Sequence, residues 1–157
     1  MPFAIHSPSF EHNGEIPPKY TCHGENISPP LVWSDPPPGT IVYALIVDDP
    51  DAPDPAAPKM TWVRWILYNI PVSAHELPEG VSSKNLPAGT EEGISDFHTT
   101  GYGGPCPPIG RHRYFFKLYA LSKKVSGLNH PVKSELEQAM AGSILAQTEL
   151  VGTSIHP

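Results

Sequence analysis

Proline falls between the apolar runs of this chain and not inside them. The 157 residues include 21 prolines, accompanied by 13 glycines. Proline fixes φ and removes a backbone donor, so it is kept out of helix interiors and central strands. A chain punctuated in this way reads as stiff, ordered loops over a β scaffold. The runs that remain agree. Residues 41–47, 62–70 and 113–121 are rich in β-branched and aromatic side chains and are bounded by Pro, Gly, Asp or Ser. The first is apolar at every position, which predicts a strand covered on both faces. Shorter strands are expected at 3–5, 31–33 and 150–155.

One helix is expected near the C-terminus, packed on the sheet. Ser134-Glu-Leu-Glu137 fits a capping box, with Ser134 as N-cap and Glu137 three residues on. Leu136, Met140 and Ile144 then recur at helical spacing, continuing toward Gln147. Nothing resembling a linker, repeat or charge block divides the chain, so residues 1–157 read as a single domain.

Hydrophobic residues at 39% and charged residues at 17% exclude a disordered chain. A net charge of −6 with only ten Lys and Arg argues against nucleic acid and anionic membrane surfaces as partners. The N-terminus lacks a basic start followed by an apolar stretch, and the 41–47 run is far too short to span a bilayer. A cytoplasmic protein without membrane insertion is expected. Cys22 and Cys106 are too few for a disulfide framework and read as reduced thiols, with a facultative bridge between their loops as the alternative.

Two clusters carry chemistry. On the third long run, His112 and Tyr114 share one face of a strand while Arg113 points to the other. An imidazole beside a phenol suits a phosphate, sulfate or carboxylate. The preceding Gly101-Tyr-Gly-Gly-Pro-Cys-Pro-Pro-Ile-Gly110 loop can add backbone N–H donors. The same two residues also suit a core in which their polar tips are satisfied internally. The second cluster, Asp48-Asp-Pro-Asp-Ala-Pro53, follows the first run. One of its carboxylates can fix the tautomer of a histidine. The cluster also fits a turn whose aspartates cap backbone N–H groups. A calcium loop is a third reading, but the ordered ligand series and turn glycine of an EF-hand are missing. No metal or cofactor motif, phosphate-binding glycine loop or nucleophile elbow is present. A hydrolase using Asp49 and His112 would need a nucleophile from elsewhere in the chain.

These segments together resemble the phosphatidylethanolamine-binding protein family, in its bacterial and archaeal Raf kinase inhibitor-like (YbhB/YbcL-like) branch. The resemblance runs from Ile16-Pro-Pro-Lys-Tyr-Thr-Cys-His-Gly24 and Asn26-Ile-Ser-Pro-Pro-Leu-Val-Trp33 through Asp48–Pro53 and Trp65-Ile-Leu-Tyr-Asn-Ile-Pro71. It continues through the glycine-rich loop and His112-Arg-Tyr114 to Glu149-Leu-Val-Gly-Thr153. It implies a mainly β fold of two antiparallel sheets with Greek-key connections, and a cis peptide at Ala52–Pro53. It also implies a small anion pocket at one end of the sheet. Asp49, Asp51, Pro53, Trp62, Gly104, Pro105, Cys106, His112 and Tyr114 fall on that pocket. The expected ligand is phosphate, a phosphorylated head group or a carboxylate, bound without catalysis. Inhibition or regulation of a kinase or protease is the alternative, and homodimerisation stays open.

Two departures stand out. Arg64 occupies a position where the family usually has a histidine. On the same face as Trp62 and Ile66, it is expected to join the pocket, meeting Asp49 at the mouth as a partly shielded ion pair that either closes the pocket or leaves a donor edge to strengthen anion binding, or else to reach along the apolar rim to solvent. Ser143 stands where the branch often has histidine, which puts a ligand role for the helix in doubt.

Overall fold

The computed structural model describes residues 2–156. Among the described residues a small sheet, a large sheet and one α-helix form three layers. The small sheet contains β1 (Ala4–His6), β3 (Leu31–Ser34) and β6 (Glu76–Leu77), in the order β1-β3-β6 with antiparallel pairing. The large sheet contains β2 (Gly14–Glu15), β4 (Val42–Ala52), β5 (Met60–Pro71), β7 (Glu91–Glu92), β8 (Arg111–Leu121) and β9 (Ile144–Ile155). Its order is β2-β9-β8-β4-β5-β7. After the β4–β5 hairpin the chain makes a long excursion and returns beside β4, a Greek-key connection. The two-residue β2 runs parallel to β9, so the large sheet is not wholly antiparallel.

The large sheet is covered on both faces, as the unbroken apolar run in β4 requires. Tyr43, Leu45, Val47, Tyr114, Phe116 and Leu118 face the small sheet, where they meet Ile5, Leu31, Trp33 and Leu77. Val42, Ala44, Ile46, Ile66 and Tyr68 face the other way, against Leu136 and Met140 of the helix α1 (Lys133–Met140).

The helix differs from the sequence expectation. Its N-cap is Val132, whose N–H donates to the Glu135 carboxylate at 3.0 Å, and Ser134 lies inside the first turn. The apolar stripe stops at Met140. Gly142 adopts φ +84°, a left-handed conformation that ends the helix, and Ile144 opens the last strand with 43% of its surface exposed. The chain therefore ends on a twelve-residue strand longer than the expected 150–155. For the aspartate cluster the alternative of a turn does not hold. The cluster continues β4 instead, because the backbone of residues 48–52 stays paired to β5 through an irregular register.

Candidate functional site

Two β-bulges build the site. Val47 pairs with Trp65 and Asp48 with Val63, which leaves Arg64 as the extra residue on β5. Next along, Asp49 pairs with Trp62 and Ala52 with Met60, which places a second bulge at residues 50–51. A bulge re-aims side chains that strict alternation would send elsewhere. Here it turns Arg64 to the same side as Trp65, while Val63 and Ile66 face the helix layer. The expected common face for Arg64 and Ile66 is corrected by this extra residue. The peptide Ala52–Pro53 is cis, as expected.

His112 and Asp49 are both 0% exposed. The His112 Nδ1 lies 2.5 Å from Asp49 Oδ2, and its Nε2 lies 3.0 Å from the Ile109 carbonyl. A carbonyl only accepts, so Nε2 carries a hydrogen. A proton must then also lie between Nδ1 and the carboxylate, shared by the pair. The second Asp49 oxygen accepts the Asp51 N–H at 2.8 Å. Both imidazole nitrogens are thus occupied by protein groups. The His112 ring stacks beside Tyr114, with centroids 6.3 Å apart.

Arg64 meets neither expectation, solvent or Asp49. It is 6% exposed, and its Nη1 donates to the Gly104 carbonyl at 2.6 Å. Its guanidinium carbon lies 5.3 Å from the ring centroids of both Phe97 and Tyr114. Among the described residues no carboxylate pairs with it, because Asp49 is taken by His112. Burial pulls the guanidinium below its ordinary pKa, against the opposing fields of Tyr114 and Asp49. Its Nε has no partner, and neither has the buried Tyr114 hydroxyl. Burial raises the Tyr114 phenol, with the Arg64 charge the largest opposing effect.

The loop between β7 and β8 closes over these groups. Gly103 N–H donates to the Arg64 carbonyl at 3.0 Å, and Gly104 N–H to Asn26 Oδ1 at 3.0 Å. Gly104 and Pro105 are buried and Cys106 is exposed. Cys22 and Cys106 are joined by a disulfide with Cα atoms 5.4 Å apart, so the bridge given as the alternative is the one formed and the expectation of two reduced thiols is corrected.

The remaining expected residues sit differently. Half-buried Trp62 joins the site through Phe97, edge to face at 5.6 Å. Pro53 is exposed beyond the end of β4. Asp51 turns to Arg113, accepting from Nη2 at 2.8 Å, Nε at 3.0 Å and the backbone N–H at 2.8 Å. Those bonds hold its carboxyl below the usual carboxylate range, against the opposing effect of burial. A carboxyl with a lowered folded pKa adds stability above its unfolded value of about 4, which is lost as pH falls through the folded value. Asp51→Asn is therefore expected to cost about 2 kcal/mol at pH 7. In urea denaturation the gap to wild type should close as pH falls through that lowered folded value.

Ser143 is remote from the site. It precedes Ile144, which pairs with Leu121, whereas His112 pairs with Ser154 at the other end of β9. Surface cavities of 190–330 Å³ are lined by residues other than Asp49, Arg64, His112 and Tyr114, and one of about 300 Å³ reaches Asn26, Gly101 and Tyr102 beside the glycine loop. Sequence reasoning missed Phe97, Asn26 and the Ile109 carbonyl. Asn26 lay within a quoted segment, but Phe97 sits in a polar turn with no periodic signal.

The phosphatidylethanolamine-binding protein family matches residues 6–155. A "UPF0098 protein" from Methanothermobacter thermautotrophicus is 44% identical over 92% of this chain and 93% of its own length. Among solved structures, CT736 of Chlamydia trachomatis is described as a homologue of phosphatidylethanolamine-binding protein. It superposes with a TM-score of 0.90 at 37% identity, covering 99% of this chain and 98% of its own. YbcL of E. coli, described as a member of the mammalian family, gives 0.88 at 29% identity, covering 99% of both chains. The extent and order of these matches place the chain in the phosphatidylethanolamine-binding protein family, alongside bacterial and archaeal relatives.

Proposed function

We propose that this protein binds a small anion, phosphate or a phosphorylated head group, against Arg64 and Tyr114. One observation carries the reading: among the described residues the buried guanidinium has no carboxylate partner and an unused Nε–H, beside a buried phenol that is likewise unpartnered. A buried cation needs a counter-charge, and buried polar groups are otherwise nearly always paired. A phosphate oxygen would complete both groups and could take the Cys106 N–H as well. Asp49 and His112 form the floor and hold the bulged strand in place. With both nitrogens engaged, His112 is poorly placed to serve as a catalytic base, which favours binding over hydrolysis. A protein partner presenting a phosphorylated or acidic side chain would use the same donors.

Titration calorimetry of inorganic phosphate and phosphoethanolamine, in phosphate-free buffer, tests the reading. Micromolar to millimolar binding is expected. Tyr114→Phe should weaken it roughly tenfold, the value of one charge-assisted hydrogen bond. Absence of binding to wild type under reducing as well as non-reducing conditions would sink the proposal. Among the described residues no helix is long and apolar enough to cross a membrane. The cytoplasm is the compartment we propose.

A further inference from the structure

We propose that the Cys22–Cys106 bond is a site of reversible thiol–disulfide exchange with a dithiol reductant, and that its reduction frees the 101–110 loop to admit the anion. This rests on the anion-site reading above and names its regulation. The starting point is closure. Arg64 is 6% exposed, and His112 and Tyr114 are both at 0%, so a ligand enters only if a covering segment moves. That segment includes Gly103 and Gly104, which grip Arg64 through its backbone carbonyl and its Nη1.

The far side of this loop is fastened to residues 20–26. Cys22 N–H donates to the Pro105 carbonyl at 3.0 Å, the Tyr102 hydroxyl to the Tyr20 carbonyl at 2.8 Å, and Gly104 N–H to Asn26 Oδ1 at 3.0 Å. The two segments touch so closely that a Cβ on Gly104 would lie 2.2 Å from Asn26 Oδ1 and 2.5 Å from the Tyr20 carbonyl oxygen. Hydrogen bonds of this kind open and close locally while the rest of the fold stands. The covalent bond does not, and it pins Cys106 two residues from the glycine that covers Arg64. The disulfide converts a lid into a fixed wall.

The bond is placed to react. Cys106 is exposed and open to an incoming thiolate. Cys22 Sγ lies 3.9 and 3.8 Å from the two ring nitrogens of His23, which can supply a proton to a departing thiolate. In the exchange, one thiolate of the reductant attacks Cys106 Sγ. The bond to Cys22 breaks, and Cys22 leaves with the electron pair and takes up a proton. The second thiol of the reductant then attacks its own sulfur in the mixed disulfide and releases Cys106, which is protonated in turn. The reductant is oxidised to its disulfide, and two electrons and two protons reach the protein.

Amide hydrogen exchange on oxidised wild type, dithiothreitol-reduced wild type and the Cys22→Ser/Cys106→Ser double variant provides the test. Reduction is expected to speed exchange at Gly103 and Gly104 at least tenfold, with the amides of β4 unchanged. The double variant should behave as reduced protein without any reductant. If that variant does not fold, reduced wild type carries the comparison. Phosphate added to the same samples should associate at least tenfold faster with the reduced form. Equal exchange at Gly103 and Gly104 in both redox states would overturn the proposal, as would failure of dithiothreitol to reduce the folded protein. If neither form takes phosphate, the anion-site reading falls. The exchange rates then still decide whether the bond controls the loop.

Discussion

Arg64→Met is expected to lose at least a hundredfold in phosphate affinity while the fold keeps its stability to within about 1 kcal/mol. The two halves of that result have one cause. The guanidinium is buried, pairs with no carboxylate among the described residues, and leaves Nε without a partner. Its desolvation is therefore a standing cost to the folded state. Replacing such a charge with a well-packed apolar side chain is often neutral or stabilising. Methionine has similar length and sits well between aromatic rings, here Phe97 and Tyr114. The main loss on folding is the bond to the Gly104 carbonyl, about 1 kcal/mol net. Binding loses the buried guanidinium and the bidentate geometry that suits a phosphate. Phosphate titration and urea denaturation of one sample read both quantities. A variant that binds normally but loses several kcal/mol of stability would make Arg64 a strut for the glycine loop. Arg64→His separates the cases further, since a titrating ring makes affinity pH-dependent around ~6.5 where arginine does not.

The reach of sequence reasoning at this site follows strand alternation. Parity placed His112 and Tyr114 on one face, and β8 pairs with β9 without a shift across those positions. Parity failed for Arg64, because a bulge adds one residue and reverses every assignment beyond it. Bulges have no strong residue signature, so the periodic pattern of β5 could not reveal this one. Asp51, put on the pocket by the resemblance alone, is also governed by a bulge. The second bulge swings it toward Arg113, which alternation had correctly sent to the opposite face from His112.

The fold was legible where burial imposes a pattern. An unbroken apolar run implies cover on both sides, and β4 is sandwiched between the small sheet and α1. Legibility ended where local signals competed. Ser134 and Glu137 satisfied the spacing of a cap, yet Pro131 and Val132 start the helix earlier, with Glu135 closing on the Val132 N–H. Ile144 matched the helical stripe but belongs to a strand, because Gly142 turns the chain first. The disulfide was a question of proximity across 84 residues, which spacing alone cannot answer.

Asp49→Ala is expected to destabilise the protein by about 3–5 kcal/mol, and Asp49→Asn by only about 1 kcal/mol. The difference comes from the proton inventory of the buried pair. The Ile109 carbonyl obliges His112 Nε2 to donate, and the 2.5 Å contact obliges a second proton to lie between Nδ1 and Asp49. Alanine strips Nδ1 of its partner at a site with no access to water, and it also orphans the Asp51 N–H that the other carboxylate oxygen accepts. Asparagine can restore every bond. Its amide nitrogen donates to Nδ1 of a neutral ring and its amide oxygen accepts from Asp51, with no charge left on the pair. Urea denaturation of both variants at pH 7 checks the ordering. If asparagine costs as much as alanine, hydrogen bonding is not the whole of the pair, and the proton resides on His112 as a true ion pair that needs the carboxylate charge. In that case the imidazolium supplies positive charge beside Tyr114, and the anion affinity of Asp49→Asn would fall together with its stability.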